Sequence, residues 1–258
     1  MISGIFHLGS GLGNQLHRYI AARVLALDKG YEFSMVAPEN FKGSSFMNLD
    51  MGQKNTMPFH TEMLAGKVVL DTIIDKWCTK IPTMWEEKTP YYNPEFNFIE
   101  DNTIIDGEFQ DERYFEHRLN EIDGWLRVEP PPVHDDVCVI GFRGGEFYMI
   151  PELGLPKEYF EKGIEEMKKI NANMHFVVHT DDPELASKFF PNYSIVHQIG
   201  INWRSMRYAK YAIIANSSFY ILPRLLNGGL TIAPRYWDRY NIKKWERPYN
   251  YYQKFTYI

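Results

Sequence analysis

The sequence predicts an α/β protein with two halves. Three observations carry this prediction. Residues 2–37 read as strand, helix and strand, a second strand–helix alternation runs from residue 137 to residue 234, and three consecutive prolines separate the two regions. Such alternation is typical of parallel sheets with helices packed on both faces. A chain of 258 residues is long enough to form two domains of this kind.

The first half begins with a buried strand, "ISGIFHL". From Asn14 onward apolar residues recur at helical spacing, and Gly30 follows Lys29 as a helix stop signal. The short strand "EFSMVA" completes a βαβ unit. Further along, "KVVLDTII" predicts a strand, and "NTIIDGEFQDERYFEHRLNEIDGWLRV" predicts a strand, a turn and a helix.

The segment "VEPPPVHDD" (residues 128–136) is the best linker, because consecutive prolines neither continue a helix nor donate to a sheet. We therefore predict domains over residues 1–130 and 131–245, followed by a tail over 246–258. The second domain alternates strand and helix through "VCVIGFR", "PKEYFEKGIEEMKKIN", "HFVVHT", "DPELASKFF", "YSIVHQ", "NWRSMRYAKY", "AIIAN", "SSFYILPRLLN" and "LTIAP".

Composition excludes several classes of protein. A net charge of −5 gives no general attraction to polyanions, so no nucleic-acid partner is expected. No apolar run reaches the length of about 18 residues that a membrane span needs, and the start of the chain does not resemble a signal peptide. Cys78 and Cys138 are far apart, which favours neither a disulfide framework nor a zinc site. These features predict a reduced, cytoplasmic protein without integral membrane association.

Glycines after the first strand raise the possibility of dinucleotide binding. Gly9 and Gly11 match the first two positions of G-x-G-x-x-G, and Glu32 is spaced like the acidic residue that binds ribose. Asn14 occupies the third position, where the motif needs a glycine for close packing of the helix on its strand. A dinucleotide-binding oxidoreductase and a merely tight strand-to-helix turn therefore both stay open as alternatives.

A more specific pattern emerges when five motifs are taken together. In chain order they are "GLGNQLHRYIAARVLA", "GEFQDERYF", "IGFRGGEFY", "VVHTDDPELASKFF" and "MRYAKYAIIANSSFYILPRLLN". A further matching segment, "TIAPRYW", comes after these five. This series resembles alpha-1,2-fucosyltransferases and, more distantly, the "GRFGNQ" opening of protein O-fucosyltransferases. The resemblance is collinear over most of the chain. It implies a GT-B fold, in which two Rossmann-like domains face each other across a cleft.

The resemblance implies a function as well as a fold. Members of this family transfer fucose from GDP-fucose to a glycan hydroxyl with inversion and without a metal ion. The expected partners are therefore a nucleotide sugar and a glycan acceptor. The sequence contains no D-x-D, which is the metal-chelating signature of the other large glycosyltransferase fold, and no cofactor or metal site is expected.

The matched motifs assign residues to the GDP-sugar site. Arg143 matches the essential arginine that contacts the diphosphate, and a guanidinium can hold phosphate oxygens bidentately. Backbone amides beside Gly144 and Gly145 are expected to approach the phosphates. Further donor contacts are expected from a second group, whose members follow later strands: Asp181, Ser217, Ser218 and Phe219. Asp181 could equally cap a helix, Ser217 could be a simple N-cap, and Phe219 could pack in the core.

This chain departs from the family pattern at several positions. Gly141 replaces a histidine, Gly144 a second arginine, and Glu146 an aspartate, while residues 220–223 replace "WWG". Glu146 is a candidate general base, with a structural role in holding Arg143 as the alternative. The departures also leave open a glycosyltransferase-like protein that has changed its donor or lost catalysis.

The first domain is expected to meet the acceptor, as it does in the family. We assign that contact to the helix start that contains Gly11, Gly13, Asn14 and Gln15. The tail over 246–258 is expected to pack back on the first domain, as GT-B chains commonly do. Its basic and aromatic residues leave single-stranded nucleic-acid binding as a weaker alternative.

Overall fold

The structure is a computed structural model, and it describes residues 1–53, 59–64, 67–72, 83–88, 91–132, 134–236, 238–245 and 255–258. The chain forms two compact units. Unit 1 comprises residues 1–42 and 49–118, and unit 2 comprises residues 43–48 and 119–258. Each unit contains its own parallel sheet. In the described part of the chain, the helices are too short or too polar to span a bilayer.

Unit 1 contains a four-stranded sheet and one long helix. Its described elements are β1 (Ile2–Ile5), α1 (Leu12–Lys29), β2 (Phe33–Val36), β3 (Phe59–Leu64), β4 (Lys67–Thr72), β5 (Thr83–Glu86) and β6 (Thr103–Asp106). The sheet has the order β2-β1-β6-β5 with parallel pairing throughout, while β3 and β4 pair with each other antiparallel. The chain places β2 on one side of β1 and later places β6 and β5 on the other side, so the strand order reverses between β1 and β6.

Helix α1 forms where apolar periodicity predicts it and begins two residues before Asn14. Leu16, Ile20 and Val24 are fully buried, because residues at this spacing share one face of a helix. Leu27 continues that spacing but is 46% exposed, so the buried stripe ends before the helix does. Gly30 has φ 68° and donates its N–H to carbonyls of the last turn, as left-handed glycine caps do.

Unit 2 contains the larger sheet and the other helices. Its described elements are α2 (Leu119–Trp125), β7 (Val137–Phe142), α3 (Lys157–Ile170), β8 (His175–Thr180), α4 (Pro183–Phe189), β9 (Ser194–Val196), α5 (Ile199–Tyr208), β10 (Tyr211–Ile214), α6 (Ser218–Leu225), β11 (Leu230–Ala233), β12 (Asp238–Arg239), β13 (Lys244–Trp245) and β14 (Phe255–Tyr257). The main sheet has the order β14-β11-β10-β7-β8-β9 and is parallel throughout. The strand order reverses between β7 and β10.

A buried arginine connects three neighbouring segments of unit 2. The Arg224 side chain is fully buried within α6. Its guanidinium donates to the carbonyls of Ala209 (2.6 Å) and Leu230 (3.2 Å) and to the Thr231 hydroxyl (2.8 Å). Burial lowers the pKa of Arg224 to about 10. These bonds connect the end of α5, helix α6 and strand β11, so a single side chain satisfies backbone groups from three neighbouring segments.

The boundary between the units precedes the proline linker. Residues 119–130 were assigned to the first domain from the sequence, but from Leu119 onward the chain belongs to unit 2. Two contacts explain the difference: Arg207 forms an ion pair with Asp123 in α2, and the Tyr208 hydroxyl donates to the Val128 carbonyl at 2.6 Å. Prolines stop a helix, but they do not prevent the preceding segment from packing on the domain that follows.

The end of the chain pairs with the unit 2 sheet, which the sequence did not predict. Strand β14 pairs in parallel with β11, from Thr231 opposite Phe255 to Ala233 opposite Tyr257. Phe255–Tyr257 therefore form an edge strand of the unit 2 sheet, and the packing of the tail on the first domain stays a prediction. Backbone pairing was not apparent in a segment dominated by basic and aromatic residues. Residues 246–254 lie outside the described residues, and so does Cys78, whereas Cys138 is buried and free.

Candidate active site at the carboxyl edge of the second sheet

The residues predicted to bind the GDP-sugar lie at the carboxyl edge of the unit 2 sheet. Arg143 directly follows β7, Asp181 follows β8, and Ser217 lies just beyond β10. The strand order reverses between β7 and β10, and open parallel sheets bind ligands beyond the carboxyl ends of their strands at such a reversal. The fold of unit 2 therefore gathers residues from three separate motifs at one edge.

Arg143 is held on both sides by carboxylates. Its Nη1 forms an ion pair with Asp181 Oδ2, and its Nη2 donates to Glu146 Oε1 at 2.6 Å. The guanidinium carbon also lies 5.1 Å from the ring centroid of Phe147, a distance typical of cation–π contacts. The side chain is 26% exposed. Because a guanidinium has five N–H donors, these contacts leave donors of Arg143 that no described residue uses.

The two glycines after Arg143 place their amides against carboxylates. The N–H of Gly144 donates to Asp181 Oδ1 at 2.8 Å, and the N–H of Gly145 donates to Asp182 Oδ2 at 3.0 Å. The predicted phosphate donors thus bind the chain's own carboxylates in this structure, because β7 and β8 are neighbours and end at the same edge. The pKa of Asp182 is lowered by the backbone N–H groups of Leu185 and Gly145.

Asp181 and Asp182 have different roles, which the sequence did not distinguish. Asp182, rather than Asp181, caps α4, because its Oδ1 accepts from the Leu185 N–H at 2.9 Å. Asp181 is thereby available to bind Arg143 and Gly144. Asp182 and Phe147 were not singled out from the sequence, although the pair "DD" and the word "GGEFY" contain them. Their roles depend on the conformation of the two loops.

Helix α6 approaches the same edge through its first turn. Tyr220 is buried, and its hydroxyl lies 3.0 Å from the Phe142 carbonyl and 2.9 Å from the His179 carbonyl. This pair of contacts places the first turn of α6 against the ends of β7 and β8. Ser217 precedes the helix and makes no side-chain cap hydrogen bond, while Ser218 is its first residue. The predicted role of both serines as diphosphate contacts stays a prediction.

Phe219 packs more like a core residue than a free aromatic platform. Its ring meets Trp203 edge to face at 5.7 Å between centroids, and it meets Tyr220 in the same manner at 5.2 Å. Trp203 is fully buried, whereas Phe219 is partly exposed. Phe219 therefore packs against its neighbours, as the alternative to nucleobase binding expected. Contact between the exposed part of its ring and a nucleobase stays a prediction.

A buried polar network supports the end of β8. The Asn202 side chain accepts from His179 Nδ1 at 2.8 Å and donates to the Thr180 carbonyl at 3.0 Å. Burial lowers the pKa of His179, which keeps the ring neutral. Because His179 and Thr180 immediately precede Asp181, these bonds fix the direction in which Asp181 leaves the sheet.

The departures from the family pattern follow from local packing. A Cβ at Gly141 would lie 2.9 Å from the Tyr220 ring and 3.0 Å from Met206 Cε, so no histidine fits there. A Cβ at Gly144 would lie 2.4 Å from Asp182 Cβ, which leaves no space for a second arginine. Glu146 binds Arg143, which is the structural alternative to its predicted role as general base.

The predicted acceptor residues of unit 1 are less exposed than expected. Gln15 is fully buried; its Nε2 donates to the Asn40 carbonyl at 2.7 Å and its Oε1 accepts from the Lys42 N–H at 3.0 Å. The amide therefore fixes the turn after β2, and Gln15 has no exposed atom with which to contact an acceptor. The sequence could not distinguish this role, because a buried and a ligand-binding glutamine need the same amide group.

Other residues at the start of α1 differ in accessibility. Asn14 is partly exposed and accepts a hydrogen bond from Gln110 Nε2 at 2.9 Å. Gly13 is buried and its carbonyl accepts from His17, while Gly11 is exposed, and a Cβ there would meet nothing within 4 Å. A contact between the acceptor and Gly11 or Asn14 stays a prediction.

The position of Glu32 argues against a dinucleotide-binding site in unit 1. Glu32 directly precedes β2, and its carbonyl accepts from the N–H of Ile2 at 2.8 Å at the start of β1. The residue therefore lies at the amino edge of the sheet, opposite the edge where α1 begins. An acidic residue that binds the ribose of a dinucleotide would have to lie near the carboxyl edge.

Two solved structures are similar in fold to this chain. The fucosyltransferase NodZ from Bradyrhizobium has 12% sequence identity, with 88% of this chain and 93% of that chain covered and a TM-score of 0.50. This chain shares the α/β fold of NodZ. A NodZ alpha-1,6-fucosyltransferase soaked with GDP-fucose has 13% identity, 88% and 92% coverage, and a TM-score of 0.48. No protein-family profile matches the chain, and neither does any curated protein sequence.

The likeness to NodZ confirms the predicted fold class. Two parallel α/β units in one chain, with the overall similarity to NodZ, correspond to the two-domain Rossmann-like architecture of GT-B proteins. The structure holds no cluster of three or more His, Cys, Asp or Glu side chains suited to a metal ion, within the residues that it describes. Metal independence stays a prediction.

Proposed function

We propose that this protein is a GT-B glycosyltransferase that transfers a fucosyl group from GDP-fucose to a hydroxyl of a glycan, with inversion and without a metal ion. One observation carries the proposal: Arg143 stands at the strand-order reversal of unit 2, fixed by Asp181 and Glu146, with guanidinium donors left unused by the described residues. The donor sugar and the mechanism come from the five collinear motifs.

The chemistry explains why a fixed arginine is needed. As the bond between the sugar and the diphosphate breaks, negative charge grows on the leaving oxygen. A preorganised guanidinium stabilises that charge without having to reorient during the reaction. The amides of Gly144 and Gly145 and the start of α6 lie along the same edge and extend this set of donors. For the glycine amides to reach phosphate, the two aspartates have to yield their hydrogen bonds.

A second candidate is a glycosyltransferase-like protein that uses a different donor or has lost catalysis. It is favoured by the segment 220–223, where the family has "WWG". Here Tyr220, Ile221, Leu222 and Pro223 are all buried. A segment without exposed polar groups cannot recognise sugar hydroxyls.

Ligand binding by unit 2 tests these candidates directly. Isothermal titration and thermal shift would compare GDP, GDP-fucose, GDP-mannose, UDP-glucose and NAD on the wild type, on Arg143→Ala and on the exposed control Arg127→Ala. We expect GDP ligands to bind the wild type and Arg127→Ala and to lose affinity for Arg143→Ala. Binding of UDP-glucose or GDP-mannose alone would favour a changed donor. A response to NAD alone would overturn the proposal in favour of an oxidoreductase.

A further inference from the structure

Tyr220 is a buried polar residue to which the proposed function assigns no role. It lies in the first turn of α6 and is 2% exposed. In the sequence it was only one member of the segment that replaces "WWG". Because a buried hydroxyl without a partner would cost free energy, the groups that this hydroxyl contacts indicate what the side chain does.

The Tyr220 hydroxyl lies between the ends of two neighbouring strands. It donates to the Phe142 carbonyl at 3.0 Å and to the His179 carbonyl at 2.9 Å. Strands β7 and β8 pair in parallel, with Gly141 opposite His179 and Phe142 opposite Thr180 as the last two pairs. A hydroxyl has a single proton, so the two carbonyls share it. This bifurcated bond connects β7 and β8 where their pairing ends.

Both carbonyls belong to residues just before the candidate donor site. Phe142 directly precedes Arg143, and His179 is two residues before Asp181. Arg143 and Asp181 form an ion pair in the loops that follow the strands. The hydroxyl and the ion pair therefore connect the same two strands, the hydroxyl near their last residues and the ion pair beyond them. A shift of either strand end would move one member of the ion pair relative to the other.

The protonation state of Tyr220 suits a place beside an anion site. Burial raises the pKa of Tyr220, although the positive charge of Arg143 acts in the opposite direction. The phenol is therefore neutral at physiological pH and serves as a hydrogen-bond donor. A carboxylate in the same place would add a negative charge near Arg143 and would repel a diphosphate, whereas a neutral hydroxyl does not.

Gly141 provides the space for the Tyr220 ring. A Cβ at Gly141 would lie 2.9 Å from both Cγ and Cδ1 of Tyr220, which is closer than a real Cβ comes to a neighbouring atom. The family pattern has a histidine at position 141, so this chain has exchanged a side chain on β7 for one that enters from α6. The departures from the pattern at positions 141 and 220 are thus one structural change.

We propose that Tyr220 is a positioning residue for the donor, which holds Arg143 opposite Asp181 by connecting the ends of β7 and β8. The inference rests on the proposed function, in which Arg143 binds the diphosphate of the GDP-sugar. A guanidinium that must be ordered during binding loses part of its binding free energy to that ordering. Because Tyr220 is buried, it acts through the backbone of the two strands and not by touching the substrate.

The variant Tyr220→Phe removes the hydroxyl and keeps the ring. Tyr159→Phe is its matched control, because Tyr159 is also buried and its hydroxyl also lies between two strands of the same sheet. That hydroxyl is 2.7 Å from the Ile214 carbonyl in β10 and 3.5 Å from the Ile232 carbonyl in β11. Neither carbonyl precedes a member of the ion pair. Urea denaturation should show a similar loss of stability in both variants, since each loses one buried donor.

Only Tyr220→Phe should weaken the binding of GDP. We expect the Kd for GDP, measured by isothermal titration, to rise about 2- to 13-fold, the factor that corresponds to the net contribution of one hydrogen bond. The Kd should stay unchanged in Tyr159→Phe. Hydrogen exchange gives a second measurement without any ligand. The N–H of Gly144, which donates to Asp181 Oδ1 at 2.8 Å, should exchange faster in Tyr220→Phe and not in Tyr159→Phe.

A double-mutant cycle tests whether Tyr220 acts through Arg143. In the Arg143→Ala background, Tyr220→Phe should have no further effect on GDP affinity, because the group that it positions is absent. Additive losses of affinity would mean that the hydroxyl affects the site independently of Arg143, and they would overturn the inference.

Failure of the inference and failure of the proposed function give different results. If the wild type binds GDP and Tyr220→Phe binds it equally well, the inference is wrong and the proposed function stands. Equal exchange of the Gly144 N–H in the wild type and in Tyr220→Phe also overturns the inference, whatever the titration shows. If the wild type does not bind GDP, the proposed function fails and the inference fails with it.

Discussion

The carboxylate of Asp181 forms an ion pair with the guanidinium of Arg143 at the strand-order reversal of unit 2. The same carboxylate accepts the Gly144 N–H at 2.8 Å. One aspartate therefore fixes both the side chain of Arg143 and the backbone that follows it. Orientation of this kind removes the cost of ordering the guanidinium when an anion binds.

Replacing Arg143 with lysine should abolish most of the binding of GDP ligands. A lysine retains the charge but cannot bind Asp181, Glu146 and a phosphate through one planar group. Loss of a charge-assisted hydrogen bond costs about 1.5–3 kcal/mol, or roughly 10- to 150-fold in affinity. Isothermal titration of GDP measures the effect, with the exposed Arg127→Lys as control. Unchanged affinity in Arg143→Lys would remove Arg143 from the donor site.

Adding a methyl group at Gly144 should destabilise unit 2. The new Cβ would lie 2.4 Å from Asp182 Cβ, and the resulting shift would break the bond between Asp182 and the Gly145 N–H. Overpacking of this kind costs about 1–3 kcal/mol in the free energy of unfolding. Urea denaturation measures the loss.

The control for this substitution is Gly124→Ala. Gly124 is exposed within α2, and a Cβ there meets nothing within 4 Å. Since alanine favours a helix over glycine by about 0.5–1 kcal/mol, we expect a gain in stability. If Gly144→Ala were as stable as the wild type, Asp182 would have to be freer to move than its hydrogen bonds with Gly145, Leu185 and Thr180 indicate.

Removing the buried charge of Arg224 should destabilise the protein strongly. Arg224→Met keeps the length of the side chain but leaves the carbonyls of Ala209 and Leu230 and the Thr231 hydroxyl without this donor. Each buried group left unsatisfied costs about 1–3 kcal/mol. Because the Ala209 carbonyl also accepts from Asn227 Nδ2 at 3.0 Å, a total of about 2 kcal/mol or more is expected. Urea denaturation measures it, and the exposed Arg235→Met serves as control. A loss close to zero would show that water replaces the guanidinium.

Glu112 should make the stability of unit 1 depend on pH. Burial raises the pKa of Glu112 to about 7, from a model-peptide value of 4.5, and Oε2 is buried without a hydrogen-bond partner among the described residues. A carboxyl whose pKa is higher in the folded state binds its proton more tightly there. Its favourable contribution is therefore complete below pH 4.5 and is lost as the pH rises through about 7.

The variant Glu112→Gln removes this titration. Thermal unfolding of the variant and the wild type would be compared between pH 4 and pH 8, a range of about four units that spans the two pKa values. The variant should be more stable than the wild type above pH 7, and the difference should diminish towards pH 4.5. Parallel curves across this range would contradict a raised pKa of Glu112.

Much of the fold follows from local patterns that a sequence displays. The apolar stripe of α1, its stop at Gly30 and the strands around "VCVIGFR" and "HFVVHT" all form where predicted. These features depend on residues that are close in the chain, so their spacing alone carries the information. The same applies to Arg143, because its position directly after a buried strand places it at a carboxyl edge.

Contacts between distant segments could not be read in this way. The pairing of β14 with β11 and the attachment of residues 119–128 to unit 2 depend on hydrogen bonds and packing across long stretches of chain. The burial of Gln15 depends on a turn some 25 residues away, at Asn40. The spacing of residues along the chain does not predict which distant segments contact each other.

By itself, the sequence determined the α/β class, the order of strands and helices, and the set of polar residues that follow the strands of the second sheet. Only the tertiary structure decided which of these residues meet. It joined Asp181 to Arg143, gave the helix cap to Asp182, and brought His7 to Asp106 across 99 positions of the chain. The physical reason is that parallel strands distant in sequence end at one shared edge, where the strand order, and not the spacing along the chain, decides which side chains become neighbours.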